Sequence, residues 1–230
     1  QEYDSYVSPD GFMPGEATFD TEVKPGAQWS AGYAYGSLLE GLDIFDGSYY
    51  MAGTLEVMAG RVPTKVIDDQ GVSVYALSDG TSGIMIQAVV DGYGLARGDV
   101  LEIRNRLKDF AEENNVISIN VSVLHQHSCI DTLGMNIPLL QGLIANTGNA
   151  ASGGLIESAK IQKNPEFMER VFNKTVFAIK KAVKSMKAGS LYYGTADVSD
   201  YIRDKRDPQA FDPNINRLRF VPDDGQVLWE

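Results

Sequence analysis

Residues 84–124 read IMIQAVVDGYGLARGDVLEIRNRLKDFAEENNVISINVSVL and decide the fold. The stretch opens with an apolar run at 84–90 and closes at 116–124, where Ile and Val alternate with Ser and Asn as in a half-buried strand. Between these runs, Asp99 can cap a helix that continues to about Asn114 with one apolar face. Strand, helix and strand in this order predict a right-handed crossover that joins two parallel neighbours.

Further strands flank this unit. Residues 72–77 form a predicted strand that reaches 84–90 through a hairpin turn at Ser78-Asp79-Gly80. Later in the chain, strands are predicted at 191–202 and 217–221, the second of them paired with 226–229.

A long helix completes the set of elements. Asn164-Pro165 predicts its start, and Gly189 is expected to end it. The elements together predict an α/β fold in which a mixed β-sheet carries flanking helices.

The chain is expected to divide into an extended arm at 1–26 and one α/β domain at 27–230. The aromatic-rich range 27–60 is predicted to be a loop layer packed over the sheet, with a ligand-stacking surface as the alternative. The glycine-rich range 146–154 is predicted to be a flexible loop rather than a lid.

Composition narrows the class of protein. A formal net charge of −11 argues against nucleic acid and against an anionic membrane as electrostatic partners. No apolar run is long enough to predict a transmembrane segment, and the sequence makes no prediction of the oligomeric state. Because the chain begins at Gln1, we expect a secreted or cell-surface protein whose signal has been removed, with a cytoplasmic protein as the alternative.

The two histidines of the chain, His125 and His127, come at the end of the predicted strand 116–124. Alternate strand residues point to one face, so both imidazoles should project together at the carboxyl end of the strand. Imidazole is a preferred ligand of zinc, and the pattern therefore indicates two ligands of a zinc site. The alternative is a pair of polar strand-end residues that are hydrogen-bonded to a loop.

Asp91 ends the preceding strand and is expected on the same rim as the histidines, because ligands collect beyond the carboxyl ends of parallel strands. Its alternative role is to start a turn before Gly92. Cys129 shares the parity of the histidines if the strand continues, and it is either a ligand or a buried filler residue.

The segment SVLHQHSCIDTLG, at 122–134, resembles the THTHSGP segment of the neutral, non-lysosomal ceramidase family. The resemblance extends to GVSVYALSDGTSGIMIQAVVDGYGL at 71–95 and to DPNINRLRFVPDDG at 212–225, and it runs from about 72 to 229. It implies a ceramidase-like domain, a zinc cofactor, a lipid or other small-molecule substrate and hydrolysis of an N-acyl amide bond. Under this interpretation Cys129 and Asp131 are expected to contact the substrate.

The chain departs from the family pattern at several positions. Arg206 stands where the resemblance would place the nucleophilic serine of an Asn-Arg-Ser motif, and Arg203 is a second donor close by. A guanidinium can bind an anion or an oxyanion but cannot be the nucleophile, and its alternative here is a surface ion pair. No histidine is present where the family has its first zinc ligand, so Asp68 or Asp69 is the expected oxygen ligand.

The remaining family ligands, a glutamate and a tyrosine, would lie beyond Glu230, so we expect the domain to be incomplete and the chain to be part of a longer protein. The sequence thus predicts a zinc-dependent hydrolase that cleaves an amide bond of an N-acyl lipid or a related molecule. The alternative is a catalytically silent relative that binds a ligand or glycan.

Overall fold

A computed structural model describes residues 19–20, 22, 24–52, 61–134 and 163–225. Within them, six strands form one mixed sheet in the order β4-β3-β2-β1-β5-β6. In the same described ranges, three α-helices and a short 3-10 helix at Ser199–Tyr201 accompany the sheet. The strands are β1 (Ser30–Ser37), β2 (Gly71–Ser78), β3 (Ile84–Val90), β4 (Val116–Val123), β5 (Lys187–Asp197) and β6 (Asn214–Pro222), and the helices are α1 (Arg97–Asn105), α2 (Lys108–Glu113) and α3 (Pro165–Lys184).

The predicted fold class, an α/β fold with a mixed sheet, is confirmed. Strands β3 and β4 are parallel neighbours, with Val90 opposite Val123, and all other neighbouring pairs are antiparallel. The hairpin turn between β2 and β3 also lies where the sequence places it. The carboxylate of Asp79 accepts hydrogen bonds from the backbone N–H groups of Thr81 and Ser82, both at 2.8 Å.

The connection between β3 and β4 differs in detail from the predicted single helix. Asp99 is the third residue of α1 rather than its N-cap, and its carboxylate accepts a hydrogen bond from the Ala96 N–H at 2.7 Å. The helix is interrupted at Arg106 and Leu107, where the fully buried Leu107 side chain enters the core and α2 begins.

The range 27–60 is not only a loop layer, because Ser30–Ser37 is strand β1 in the middle of the sheet. Its small residues Gly32, Ala34 and Gly36 alternate with Tyr33 and Tyr35, and this alternation is itself a strand pattern. The prediction is wrong for Ser30–Ser37, because aromatic residues that alternate with small ones suit a strand packed against a helix as well as a loop.

Helix α3 begins as predicted, with the Asn164 side chain accepting a hydrogen bond from the Phe167 N–H at 3.0 Å. It ends at Lys184, however, and not at Gly189, which lies inside β5 opposite Pro222. Strand β5 therefore begins four residues earlier than the predicted 191–202 and stops at Asp197.

Strand β6 pairs with β5. Its predicted partner at 226–229 lies outside the described residues, as do 146–154 and most of the predicted arm at 1–26. In the part of the chain that the structure describes, no helix has the length and apolar character needed to cross a membrane.

One continuous core lies between the helices and one face of strands β1 to β4. Within this core, α3 approaches β1 closely. A Cβ atom on Gly32 would overlap the carbonyl oxygen of Ala182, and one on Gly36 would lie 3.2 Å from the carbonyl oxygen of Lys174. Because both glycines face α3, the helix backbone rests almost directly on the strand.

This contact makes a prediction about stability. Gly32→Ala should lower the free energy of unfolding by about 2–3 kcal/mol, because the added methyl group meets a helix carbonyl that cannot move without displacing α3. Urea denaturation followed by circular dichroism measures the change. Gly194→Ala is the matched control, since no atom of the described residues lies within 4 Å of that Cβ position. Equal stability losses in the two variants would contradict the account.

Candidate functional site

The histidine segment follows β4 at the edge of the sheet where β3 also ends. The Leu124 N–H donates to the Val90 carbonyl at 3.2 Å, and the Gln126 N–H donates to the Gly92 carbonyl at 3.0 Å. These two hydrogen bonds continue the parallel pairing past the end of both strands. The structure therefore places His125 and His127 beside the segment that begins at Asp91, on the rim that the strand order predicts.

The exposed rings of His125 and His127 cluster with the half-buried ring of Tyr93. The His125 ring stacks on Tyr93 with centroids 5.0 Å apart, and the His127 ring meets the edge of the same tyrosine at 4.9 Å. The two imidazole centroids lie 5.3 Å apart. Tyr93 is not among the residues predicted for the site, although its position two residues after Asp91 places it on the same rim.

The protonation of the His125 ring is constrained by its neighbour. Its Nδ1 lies 2.7 Å from the backbone carbonyl oxygen of Tyr93, which can only accept a hydrogen bond. Nδ1 must therefore carry the proton in the neutral ring, and Nε2 keeps the lone pair. Histidines that bind metals commonly make this type of contact, because a backbone acceptor orients the ring and selects the tautomer.

A cavity of about 460 Å³ opens next to this cluster. Its polar lining includes three carboxylates and the two residues that alternate with the histidines, namely Asp68, Asp69, Asp91, Gln126 and Ser128. The apolar lining includes Leu39, Ile44, Met51 and Ile130. A cavity with an apolar wall and a polar rim can hold an amphipathic molecule.

The structure separates the predicted carboxylate ligands from the predicted imidazole ligands. Gln126 and Ser128 line the cavity, whereas His125 and His127 do not. That Asp68, Asp69 and Asp91 share a metal site with the histidines remains a prediction. The backbone departs from a regular strand at His125, whose φ is +57°, so the strand alternation does not continue through this residue.

The carboxylates of the cavity are engaged by neighbouring groups. Asp69 accepts hydrogen bonds from the Tyr35 hydroxyl at 2.9 Å and from the Ser37 hydroxyl at 3.0 Å. Burial, reinforced by this bond to Asp69, raises the pKa of Tyr35, so the phenol stays protonated. Burial also raises the pKa of Asp91 above its usual value, although the Gly71 N–H donates to that carboxylate at 3.2 Å.

Gln70 joins the separate parts of the site, and the sequence analysis did not single it out. This residue is 4% exposed, and its amide nitrogen donates to the Asp91 carbonyl at 2.8 Å. Its amide oxygen accepts from the Ile130 N–H at 2.8 Å. One buried side chain thus ties the end of β3 to the loop that follows the histidines. A glutamine directly before a strand gives no distinctive sequence signal for such a role.

Cys129 and Asp131 have structural partners in the same loop. Burial, followed by the nearby charges of Asp131 and Asp91, raises the pKa of the Cys129 thiol to about 12. The thiol lines the cavity and donates to the Gln126 carbonyl at 3.3 Å. The Asp131 carboxylate is buried and accepts from the Leu133 N–H at 2.8 Å, which shapes the turn.

Arg203 and Arg206 are exposed, and neither lines the cavity. Both arginines lie in the connection between β5 and β6. Strand β5 pairs with β1 at the Ser30 end of β1, whereas the candidate site borders the other end of β1, at Ser37. The Arg206 N–H donates to the Asp204 carboxylate at 3.0 Å, as part of a local turn. This placement favours a surface role over a catalytic one.

The described residues do not form a complete set of metal ligands. They contain no group of three or more His, Cys, Asp and Glu side chains that could hold a metal ion. A catalytic zinc usually takes three protein ligands, and His125 and His127 would be two of them. No reaction step can therefore be derived through a metal from these residues.

Solved structures show which proteins share this architecture. The chain is similar to a ceramidase complexed with C2, with a TM-score of 0.59 at 15% sequence identity. It is also similar to the neutral ceramidase from Pseudomonas aeruginosa, with a TM-score of 0.57 at 16% identity. Each match covers 87% of this chain and 30% of the ceramidase chain. Neither a protein-family model nor a curated protein sequence matches. The likeness establishes a ceramidase-like fold.

The position of Gln70 leads to a second prediction. Gln70→Leu should lower the free energy of unfolding by about 2 kcal/mol, because the Ile130 N–H and the Asp91 carbonyl lose their buried partner. Hydrogen exchange at the Ile130 amide should accelerate more than exchange in β1. The control is Gln87→Leu, whose amide bonds Ser122 on a more exposed face. Unchanged Ile130 exchange in the Gln70 variant would refute the role.

Proposed function

We propose that this chain belongs to a ceramidase-like hydrolase that cleaves the amide bond of an N-acyl lipid or a related molecule. We further propose that the enzyme depends on zinc and that His125 and His127 are two of the ligands. The observation that carries the proposal is the contact of His125 Nδ1 with the Tyr93 carbonyl at 2.7 Å, which leaves Nε2 available as a ligand atom.

The cavity supports a substrate with an acyl chain. Its apolar wall can bury hydrocarbon, while Gln126 and Ser128 offer polar groups close to the histidines. When bound, a catalytic zinc acts as a Lewis acid toward a carbonyl group. The third protein ligand would have to come from outside the described residues, because these contain no third candidate beside the two imidazoles.

The residue at the predicted serine position limits the chemistry. Arg206 cannot act as a nucleophile, because a guanidinium does not lose its proton in proteins. We therefore expect weak or no cleavage of ceramide itself. The exposure of Arg203 and Arg206 favours the surface alternative over an oxyanion or anion site. We retain the proposal of a secreted or cell-surface protein that acts on a lipid or other small-molecule substrate.

One observation favours a second function, that of a catalytically silent relative which binds a ligand. The cavity and the histidine cluster are separate in the described residues, so a molecule in the cavity need not touch either imidazole. Under this alternative the cavity would bind a lipid or glycan without turning it over. Metal dependence distinguishes the two functions.

Hydrolysis of fluorescent N-acyl amides tests the proposal. We expect turnover that a chelator abolishes and added zinc restores, and a loss of at least about a hundredfold in His127→Ala. His125→Asn should cause a similar loss while keeping a residue that tolerates the positive φ of this position. Turnover is measured with neutral, anionic and ceramide substrates. The resemblance points to ceramide, whereas Arg206 at the expected serine position points away from it.

The control variant is Gln87→Leu, which alters an outward-facing polar residue of β3 and should keep full turnover. Turnover that survives both histidine substitutions would exclude the proposed site. Stoichiometric binding of an N-acyl lipid without turnover and without zinc would establish the silent alternative.

A further inference from the structure

The cavity beside the histidine cluster carries unequal charges on its wall. Asp68, Asp69 and Asp91 contribute three carboxylates, whereas Lys65 is the one basic side chain among the described lining residues. None of these four side chains takes part in an ion pair within the part of the chain that the structure describes. The cavity therefore presents an excess of negative charge for which the described residues supply no paired cation.

Charges outside the lining do not cancel this excess. Burial raises the pKa of the Cys129 thiol, and the charges of Asp131 and Asp91 raise it further, so Asp131 adds negative charge on the same side. Arg61 is exposed and does not line the cavity, so water screens its charge. The formal net charge of −11 for the whole chain has the same sign as the excess in the cavity.

Neutral donors hold two of the carboxylates in fixed orientations. The Tyr35 and Ser37 hydroxyls donate to Asp69 at 2.9 and 3.0 Å. The Gly71 N–H donates to Asp91 at 3.2 Å. A side chain at Gly71 would overlap the Tyr35 hydroxyl, so the same glycine serves both carboxylates. An ionised carboxylate has about four lone-pair positions, and both groups therefore keep acceptor positions for a ligand.

The three carboxylates are close enough to affect one another. Burial raises the pKa of Asp91, and the charges of Asp69 and Asp68 raise it further. Like charges in a partly buried space repel each other, and a cation placed among them relieves this repulsion. A bound anion would increase the repulsion. The wall of the cavity therefore favours a positively charged ligand and disfavours a carboxylate.

The apolar wall and the absence of aromatic rings define the ligand further. Leu39, Ile44, Met51 and Ile130 offer a surface on which hydrocarbon can be buried. No aromatic ring is among the described lining residues, whereas proteins recognise quaternary ammonium groups with such rings. A primary ammonium group donates three hydrogen bonds, and carboxylates are strong acceptors for them. A hydrocarbon chain with a primary ammonium group matches both parts of the cavity.

We propose that the cavity selects amphiphiles by charge and that its ligand is a hydrocarbon chain with a primary ammonium group bound by Asp69 and Asp91. That this ligand is a substrate rests on the proposed function: the cleaved N-acyl amide then carries an ammonium group on its amine half, as an acylated alkyl diamine does. This role differs from the predicted role of the same carboxylates as zinc ligands, and added zinc distinguishes the two.

Calorimetric titration of the intact chain with octylammonium tests the charge selection without any need for turnover. Octylammonium should bind at least about tenfold more tightly than octanol, and octanoate should show no measurable binding. Octyltrimethylammonium should bind more weakly than octylammonium, because it has no N–H group to donate. Neither a chelator nor one equivalent of zinc should change the affinity for octylammonium.

Substitutions in the lining test which groups hold the ammonium. Asp69→Asn and Asp91→Asn should each weaken octylammonium binding at least about tenfold, because they remove the charge and keep the shape. Lys65→Glu should strengthen it about threefold, since it replaces the competing cation with an anion. Asp109→Asn is the matched control and should change nothing, because this exposed residue lies on α2, which leads into the amino end of β4, away from the rim.

Turnover separates this inference from the proposed function. The substrates are three amides that share an octanoyl chain and carry diaminobutane, butylamine or aminobutyrate as the amine half. We expect kcat/KM to be highest for the cationic amide and lowest for the anionic one. His127→Ala should abolish cleavage of all three, whereas Asp69→Asn should lower kcat/KM for the cationic amide alone. If none of the amides is cleaved, the proposed function is refuted and the calorimetric result alone decides this inference.

Several results would overturn the inference. They are octanol binding as tightly as octylammonium, displacement of octylammonium by one equivalent of zinc, and unchanged binding in an Asp69→Asn variant that circular dichroism shows to be folded. If that variant does not fold, the exposed Lys65→Glu decides, because unchanged or weaker binding there would also overturn it. Preferred cleavage of the anionic amide would overturn the charge selection and leave the proposed function intact.

Discussion

The close contact of α3 with β1 is the constraint on which the rest of the structure depends. Gly32 and Gly36 allow the helix backbone to approach the strand, and the buried side chains of α3 then share one core with β2 and β3. Since β1 ends at Ser37, opposite the start of β2 at Gly71, the same contact positions the first residues of the cavity. The Ser37 and Tyr35 hydroxyls reach Asp69 from this strand.

Gln70 connects β1 to the loop that carries the histidines. The backbone carbonyl of Gln70 accepts from the Leu38 N–H at 2.8 Å, while its side chain holds Asp91 and Ile130. A single residue therefore links the central strand, the end of β3 and the loop after β4. The rim that results has two halves, a carboxylate-lined cavity and an exposed pair of imidazoles, which share the backbone of residues 125–128 but present different side chains.

Much of this fold is predictable from local patterns. The β2–β3 hairpin, the parallel neighbour β4 and the start of α3 each carry a signal within a few residues, such as the Asp79 turn or Asn164-Pro165. The predictions that were wrong concern residues whose structure depends on segments distant in the chain. Gly189 is compatible with a helix end, and only its pairing with β6 makes it a strand residue. The strand around Tyr33 is a further miss, because its glycines are explained only by the close approach of α3.

The position of the candidate site on the sheet could be predicted from the sequence, but the arrangement of its side chains could not. The strand order placed Asp91 and the histidines on one rim, because that inference needs only parallel strands. The convergence of carboxylates and imidazoles needed regular alternation through His125, whose left-handed backbone no pattern in the sequence reveals. The roles of Gln70 and Tyr93 have no local sequence signal for a related reason, since they arise from backbone contacts with residues far away in the chain.

The metal content of the purified chain tests the central claim most directly, namely that the two imidazoles at the end of β4 form part of a zinc centre. The account predicts about one zinc per chain by elemental analysis after dialysis against zinc-free buffer, and a loss of that zinc in both His125→Asn and His127→Ala. A wild-type chain that retains no zinc, or histidine variants that retain it in full, would contradict the account.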